Sequence, residues 1–197
     1  MGRPIVAECL DQIFLKARTH TKWQDRAVAD DLLRRIVDLT VLGPTSANQS
    51  PARFVFMKSP EAKLRLIPLL SEGNRAKTLA APVCAIIGYD MKFYDHLPRL
   101  FPHENARAWF EGKGASVLET TALRNGTLQG AYFIIAARAL GLDTGPMSGF
   151  DQAGVDLEFF AGTPVKSNFI CNLGYGDPAA LRPRLPRFVF DEISAIV

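Results

Sequence analysis

The sequence predicts a single α+β domain built on a sheet of about four strands. Three observations carry that expectation. The chain has 197 residues, enough for one substantial core. Its 48% hydrophobic and 22% charged content is that of a globular protein, not a disordered one. Runs of β-formers alternate with helically periodic segments, at intervals too irregular for a regular βαβ series.

Taken in order, the first helix spans residues 5–17, where Val6, Leu10, Ile13, Phe14 and Ala17 make one apolar face. The polar stretch Arg18-Thr19-His20-Thr21-Lys22-Trp23 follows. A second helix runs over 30–42, with Leu33, Ile36, Val37 and Val41 on one side, and Gly43-Pro44 stops it. Residues 44–51, PTSANQSP, form a loop dense in turn formers, and 53–57 read as a strand. Ser59 then caps a helix with Pro60 at its first position, reaching about Leu70. Ser71-Glu72-Gly73-Asn74 breaks the chain before an apolar run at 82–89, the pattern of a fully buried strand.

Over 90–114 the character changes. Pro98, Pro102 and Gly112 interrupt it and aromatics alternate with charges, which predicts an excursion or lid carrying short helices. Residues 116–140 hold no proline and are apolar around much of the circumference, so they predict a long central helix packed on several sides. Gly141 ends it, and 142–149 is a second glycine-rich loop. Asp151 caps a short helix to about Phe160, 168–173 is another strand, and 174–178 a turn. The basic tail 182–187 precedes a last extended segment, Phe188-Val189-Phe190. No internal repeat, low-complexity tract or linker divides the chain.

Composition excludes several function classes. The net charge is +3, without the basic excess of a general nucleic-acid binder. The longest apolar stretch, 79–89, has eleven residues and contains Pro82, against the roughly 20 that a spanning helix needs. The start, Met1-Gly2-Arg3-Pro4, does not read as a secretory signal. Cys9, Cys84 and Cys171 are odd in number and far apart, which points to reduced thiols, a cytoplasmic protein and no zinc site. GxGxxG after a strand, the P-loop, GxSxG and HExxH are all missing.

Three segments can carry chemistry. The 18–22 cluster offers two cations, two hydroxyls and an imidazole, a group suited to phosphate through charge-assisted hydrogen bonds. The small residues of PTSANQSP let backbone N–H groups approach a ligand, and Asn48 adds a two-sided amide. Arg182-Pro183-Arg184-Leu185-Pro186-Arg187 is a strong positive charge held extended by two prolines. In isolation each also fits a blander role: a solvated connection, an ordinary turn, a solvated edge.

Five segments in sequence, Ala17-Arg18-Thr19-His20, Gly43-Pro44-Thr45-Ser46-Ala47-Asn48, the run from Gly141 to Asp151, Lys166-Ser167-Asn168 and Leu173-Gly174-Tyr175-Gly176-Asp177, have a joint order and spacing. In these the chain resembles the FMN-dependent nitroreductase family over nearly its whole length. Within that family it is most similar to the subfamily of the malonic semialdehyde reductase of pyrimidine degradation. The resemblance implies a nitroreductase-like sandwich, with helices around a mainly antiparallel sheet, and an intertwined homodimer holding FMN at its interface. By the family pattern Arg18, Thr19, His20 and Lys22 grip the FMN phosphate, with His20 standing where serine is usual. Arg182 and Arg184 complete that grip from the C-terminal side. Pro44, Thr45, Ser46 and Asn48 lie beside the flavin; Ser50-Pro51-Ala52 replaces the usual Gln-Pro-Trp, so no contact is carried onto Ser50. Asn74 and Lys77 correspond to the residues at the pyrimidine edge, and Pro146, Met147, Ser148 and Gly149 to the loop passing N5.

The implied activity is ping-pong hydride transfer from NADH or NADPH through flavin N5 to a small carbonyl substrate, malonic semialdehyde to 3-hydroxypropionate, without a side-chain nucleophile. His96, Arg99, His103 and Arg107, clustered in the 90–114 segment, are the candidates for holding a substrate anion. Two alternatives stand beside this reading: a broad reductase of nitro compounds or quinones in the same site, and a non-catalytic flavin-binding module.

Overall fold

The computed structural model describes residues 2–197. Four strands form one antiparallel sheet: β1 (Ala52–Met57), β2 (Val83–Asp90), β3 (Asp143–Met147) and β4 (Val165–Gly174), in the order β1-β2-β4-β3. Strand β2 is buried along its whole length. Its side chains alternate between two cores, as a pleated strand requires. Val83, Ala85 and Ile87 face one layer with Leu33, Ile36 and Phe133, and Cys84 and Ile86 face the other with Leu66 and Val155.

The helices follow from that division. On the first face lie α2 (Asp30–Thr40) and the 25-residue α6 (Ala115–Ala139), and on the second α3 (Pro60–Leu66) and α7 (Gln152–Phe159). Ser59 and Asp151 cap α3 and α7 as the sequence predicts, accepting from Ala62 N at 3.1 Å and Gly154 N at 3.1 Å. Helix α6 approaches the sheet closely because it carries glycine: a Cβ on Gly130 would lie 2.5 Å from the Phe169 ring. Short helices complete the chain: α1 (Ala7–Leu10), running into a π-turn at Asp11–Leu15, α4 (Glu72–Ala80), α5 (Leu97–Leu100) and α8 (Phe190–Ile193). Cys84 and Cys171 are buried free thiols, and burial pushes both well above the ordinary thiol range, so they are inert. Among the described residues no helix is long and apolar enough to cross a membrane.

Three sequence expectations are corrected. The glycine-rich segment 142–149 is not a loop: residues 143–147 form β3. Its Gly145 and Pro146 argue against a central strand, but β3 is an edge, where proline is tolerated because its missing N–H has no neighbour to serve. The break at 71–74 is instead the start of α4, whose first turn holds Gly73 and Asn74. The last segment, 188–190, is extended only to Val189: Phe190 opens one turn of helix, tied by Val189 N donating to Glu192 Oε2 at 2.8 Å. The 90–114 segment does contain short helical pieces, at Phe93–His96, Leu97–Leu100 and Ala106–Trp109.

Candidate functional site

Segments from the two terminal regions, 15–18 and 182–184, meet on one side of the fold. The segment after the π-turn runs along edge strand β3, with Thr19 bridged to Thr144 and His20 N donating to Thr144 O at 3.0 Å. Gly145 is required there, since a Cβ would lie 2.6 Å from His20 O. Arg18 Nη2 donates to Arg182 O at 2.6 Å, while Arg184 Nη2 donates back to Leu15 O at 2.7 Å and Ala17 O at 3.0 Å. Each terminal segment thus supplies the acceptors for the other's arginine. A guanidinium has five N–H donors, so most remain free for a ligand.

These contacts enclose a cavity of about 680 Å³ lined by Arg18, Thr19, His20 and Lys22 from one end and Arg182, Arg184 and Arg187 from the other. Arg138, on α6, lines it from the scaffold. Six of its lining side chains are therefore Lys or Arg, against one carboxylate, Asp177. Asp177 caps the turn Pro178–Ala180 through Ala179 N. Among the described residues none of the six is ion-paired. The other 17 Lys and Arg face the other 19 Asp and Glu, so the remainder of the chain is net negative and the positive field is concentrated here.

His20 is buried. Its ring packs on Gly176, where any Cβ would collide with it, and its Nε2 lies 3.4 Å from Asp143 Oδ1. Asp143 is held in turn by Gly176 N at 2.8 Å. The histidine thus joins the terminal segment to β3 as well as lining the cavity.

The ring-edge candidates do not line this cavity, but they are tied to the 18–23 segment that does. Asn74 Nδ2 donates to Gly149 O at 2.8 Å, and Lys77 O accepts from Trp23 Nε1 at 3.2 Å, tying α4 to both the loop after β3 and the 18–23 segment. Met147 is buried, with Thr78 Oγ1 donating to its sulfur at 3.7 Å, whereas Pro146 and Gly149 are half-buried and Ser148 is exposed.

The loop with Pro44, Thr45, Ser46 and Asn48 does not reach this cavity within one chain. It is seated on α6 by two buried amides one turn apart: Asn125 Oδ1 accepts from Ser46 N, and Gln129 Oε1 from Ala52 N, each at 2.8 Å. Asn125 stands 13 residues before Arg138, roughly 20 Å along a helix. Ala47, Asn48 and Ser50 all have positive φ, a strained backbone that such anchoring sustains. Asn48 Nδ2 donates to Leu100 O at 2.8 Å, linking the loop to the 90–114 segment.

The four anion candidates there differ. Arg107 lies 3.2 Å from Asp95 and 3.5 Å from Glu111, and His96 lies 3.5 Å from Asp90, a buried carboxylate already paired with Arg53 at 2.5 Å. Arg99 and His103 are exposed and, among the described residues, unpaired. Sequence reasoning missed Arg138. Its signal was there: between Arg124 and Asp143 it is the one charged residue in the long helical pattern.

A model of the nitroreductase family matches residues 15–175. A Burkholderia lata protein provisionally named an NADH dehydrogenase/NAD(P)H nitroreductase is 69% identical over 95% of both chains. A Stenotrophomonas maltophilia protein of the same provisional name is 60% identical over the full length of both. Among solved structures, a provisional nitroreductase from Bacillus subtilis superposes with a TM-score of 0.86 at 18% identity, covering 95% of this chain and 98% of that one. The FMN complex of a provisional nitroreductase from Exiguobacterium sibiricum superposes with a TM-score of 0.84 at 20% identity, covering 100% and 99%. These likenesses extend the match in fold over the whole chain.

Proposed function

The chain belongs to the nitroreductase family, and from that premise we propose that it is an FMN-dependent oxidoreductase carrying hydride from NADH or NADPH to a small carbonyl compound, malonic semialdehyde in particular. The observation that carries the cofactor reading is the cavity where six cations from three parts of the chain converge without a carboxylate partner. A phosphomonoester carries nearly two negative charges at neutral pH and accepts several hydrogen bonds, which is what this set lacks. The donor set fits the group.

Arg18, Lys22, Arg182 and Arg184 hold the phosphate, with Thr19 and the His20 backbone fixed to β3 behind them. Asn74, Lys77 and Pro146–Gly149 serve the ring, and Lys77 supplies a cation that favours the anionic reduced form. FMN, when bound, supplies a two-electron relay between nicotinamide and acceptor. The protein's part is positioning: small groups at Ser148 and Gly149 leave room for nicotinamide and acceptor to occupy one face in turn. For a semialdehyde, a cation must also hold the carboxylate. Of the four candidates Arg99 and His103 are favoured, since Arg107 and His96 already face carboxylates.

The site is completed by a second copy of the chain. The strained loop at Pro44–Asn48 stands away from the cavity of its own chain. Large apolar side chains are also exposed on both terminal segments, Val6, Leu15, Leu185, Phe188 and Ile193 among them. An intertwined homodimer covers such surfaces and brings one subunit's loop to the other's cavity.

The names of the curated relatives favour a second reading in the same site, a broad NAD(P)H reductase of nitro compounds. Purified protein should be yellow and dimeric by light scattering. Its kcat/KM for malonic semialdehyde should exceed that for a nitroaromatic; the reverse order replaces the first reading by the second. A colourless protein that takes up no FMN removes both, and a yellow one with no NAD(P)H turnover leaves only a flavin-binding module.

A further inference from the structure

We infer that Arg138 reads the phosphate: it is a cofactor-binding residue, standing on helix α6 behind the two clamps of the terminal segments, that makes the site choose FMN over unphosphorylated riboflavin. This rests on the flavin reading above and adds to it a residue outside every segment that carries the family resemblance. The other five cations of the cavity lie on the terminal segments, whereas Arg138 lies in the last turn of α6, packed on the sheet. Its neighbours are specified from the other end of the chain. Gln12 Nε2 donates to Arg138 O at 2.8 Å and Ala139 O at 3.2 Å, taking two of the carbonyls that the helix end leaves open. Arg138 Nη1 donates to Ile13 O at 3.2 Å, inside the π-turn.

That arrangement is costly unless something else arrives. Arg138 is half-buried, its Nε is enclosed without an acceptor, and among the described residues no carboxylate pairs with it. Burial, the largest cause, pulls its pKa down; Cys171 and Asp143 act the other way, and Arg184 adds the smallest contribution to the fall. A partly desolvated cation without a counter-charge is unfavourable, and a guanidinium that held up only the π-turn would need one N–H, not a charge. Arg138 lines the cavity with Arg184 and Arg182, and an anion there relieves the desolvation and the repulsion together. The planar fork suits phosphate oxygens.

The test measures binding of FMN and of riboflavin separately, by fluorescence titration of flavin-stripped protein, for wild type, Arg138→Leu and Arg138→Lys. Arg138→Leu should weaken FMN by about 10- to 100-fold, the range for a lost hydrogen bond to a charged group. Riboflavin should change by less than about 2-fold, and Arg138→Lys should fall between wild type and Arg138→Leu for FMN only. Equal loss for both ligands, or no loss for either, overturns the inference and makes Arg138 a structural residue. If Arg138→Leu does not fold, Arg138→Lys decides alone: selective loss of FMN supports it, unchanged or equal losses overturn it. Wild type that binds riboflavin as tightly as FMN would instead remove the phosphate cavity itself, and with it the underlying reading.

Discussion

Two cation-bearing regions of this molecule are wired in opposite ways. Residues 90–114 hold four Lys and Arg and four Asp and Glu, and two of the segment's basic groups, Arg107 and His96, face carboxylates. Arg107 sits between Asp95 and Glu111, and His96 joins Arg53 at Asp90. Around the terminal cavity the lining has six Lys and Arg and one carboxylate, and the guanidiniums bond only to backbone carbonyls. Carbonyls satisfy donors without neutralising charge. The difference teaches which cations are already satisfied internally and which await an anion from outside: the same residue type is scaffold in one region and binding group in the other.

Breaking the internally satisfied side should cost stability and leave flavin binding alone. Asp90→Asn removes the carboxylate shared by Arg53 and His96, itself only 4% exposed, and should lower unfolding free energy by about 3 kcal/mol in urea titrations. FMN affinity should hold within about 2-fold. A large loss of affinity there would erase the contrast between the regions.

Breaking the other side should do the reverse. Arg184→Ala should weaken FMN by about 10- to 100-fold in the same titration. Because Arg184 also holds Leu15 O and Ala17 O, flavin-free protein should lose about 1 kcal/mol as well. Added phosphate should stabilise wild type against heat and should do so less for this variant.

A third internally wired cluster sharpens the rule with pH. Glu119 accepts from Lys166 Nζ at 2.8 Å and from Tyr89 Oη at 3.0 Å, and these two bonds, Lys166 foremost, hold its carboxyl below the usual 4.5. The stabilisation is present above that ordinary value and is lost as pH falls through the lowered one. Glu119 is 39% exposed at its side chain, so solvent screening leaves roughly 0.5–1 kcal/mol. Glu119→Gln should therefore be less stable than wild type at neutral pH, and the gap should close as acid titrates the native carboxylate. A gap that widens in acid would mean that the carboxylate destabilises the native state.

The smallest effects separate the four anion candidates. Arg107→Ala, losing a surface pair, should change stability by less than about 1 kcal/mol and barely alter kcat/KM for the semialdehyde. Arg99→Ala and His103→Ala should raise KM for the anionic aldehyde and not for a neutral one. Identical behaviour of all four variants would take the substrate role away from this segment.

Much of this was legible before folding. The long helix at 115–139, the buried strand β2 and the caps at Ser59 and Asp151 follow from local periodicity and local hydrogen bonding, which neighbouring residues determine. The density of cations at 18–22 and 182–187 was equally plain. Strand β3 was not, because Gly145 and Pro146 lose their usual meaning only once their position at the sheet edge is known. Helix α4 was hidden by Gly73 and Asn74, turn formers locally that the packed structure accepts in a first turn.

The sequence alone determined the fold class, the period of most elements and the charge at each end of the chain, since these depend on residues within a turn or two of one another. Only the tertiary structure decided that Arg18 and Arg184 would exchange carbonyls across 164 residues or more, that Arg138 would stand behind them, and that Arg107 would be neutralised while they were not. The reason is physical. A cation's role depends on where the nearest opposite charge lies in space, and at a few ångströms that distance is set by packing, not by position along the chain.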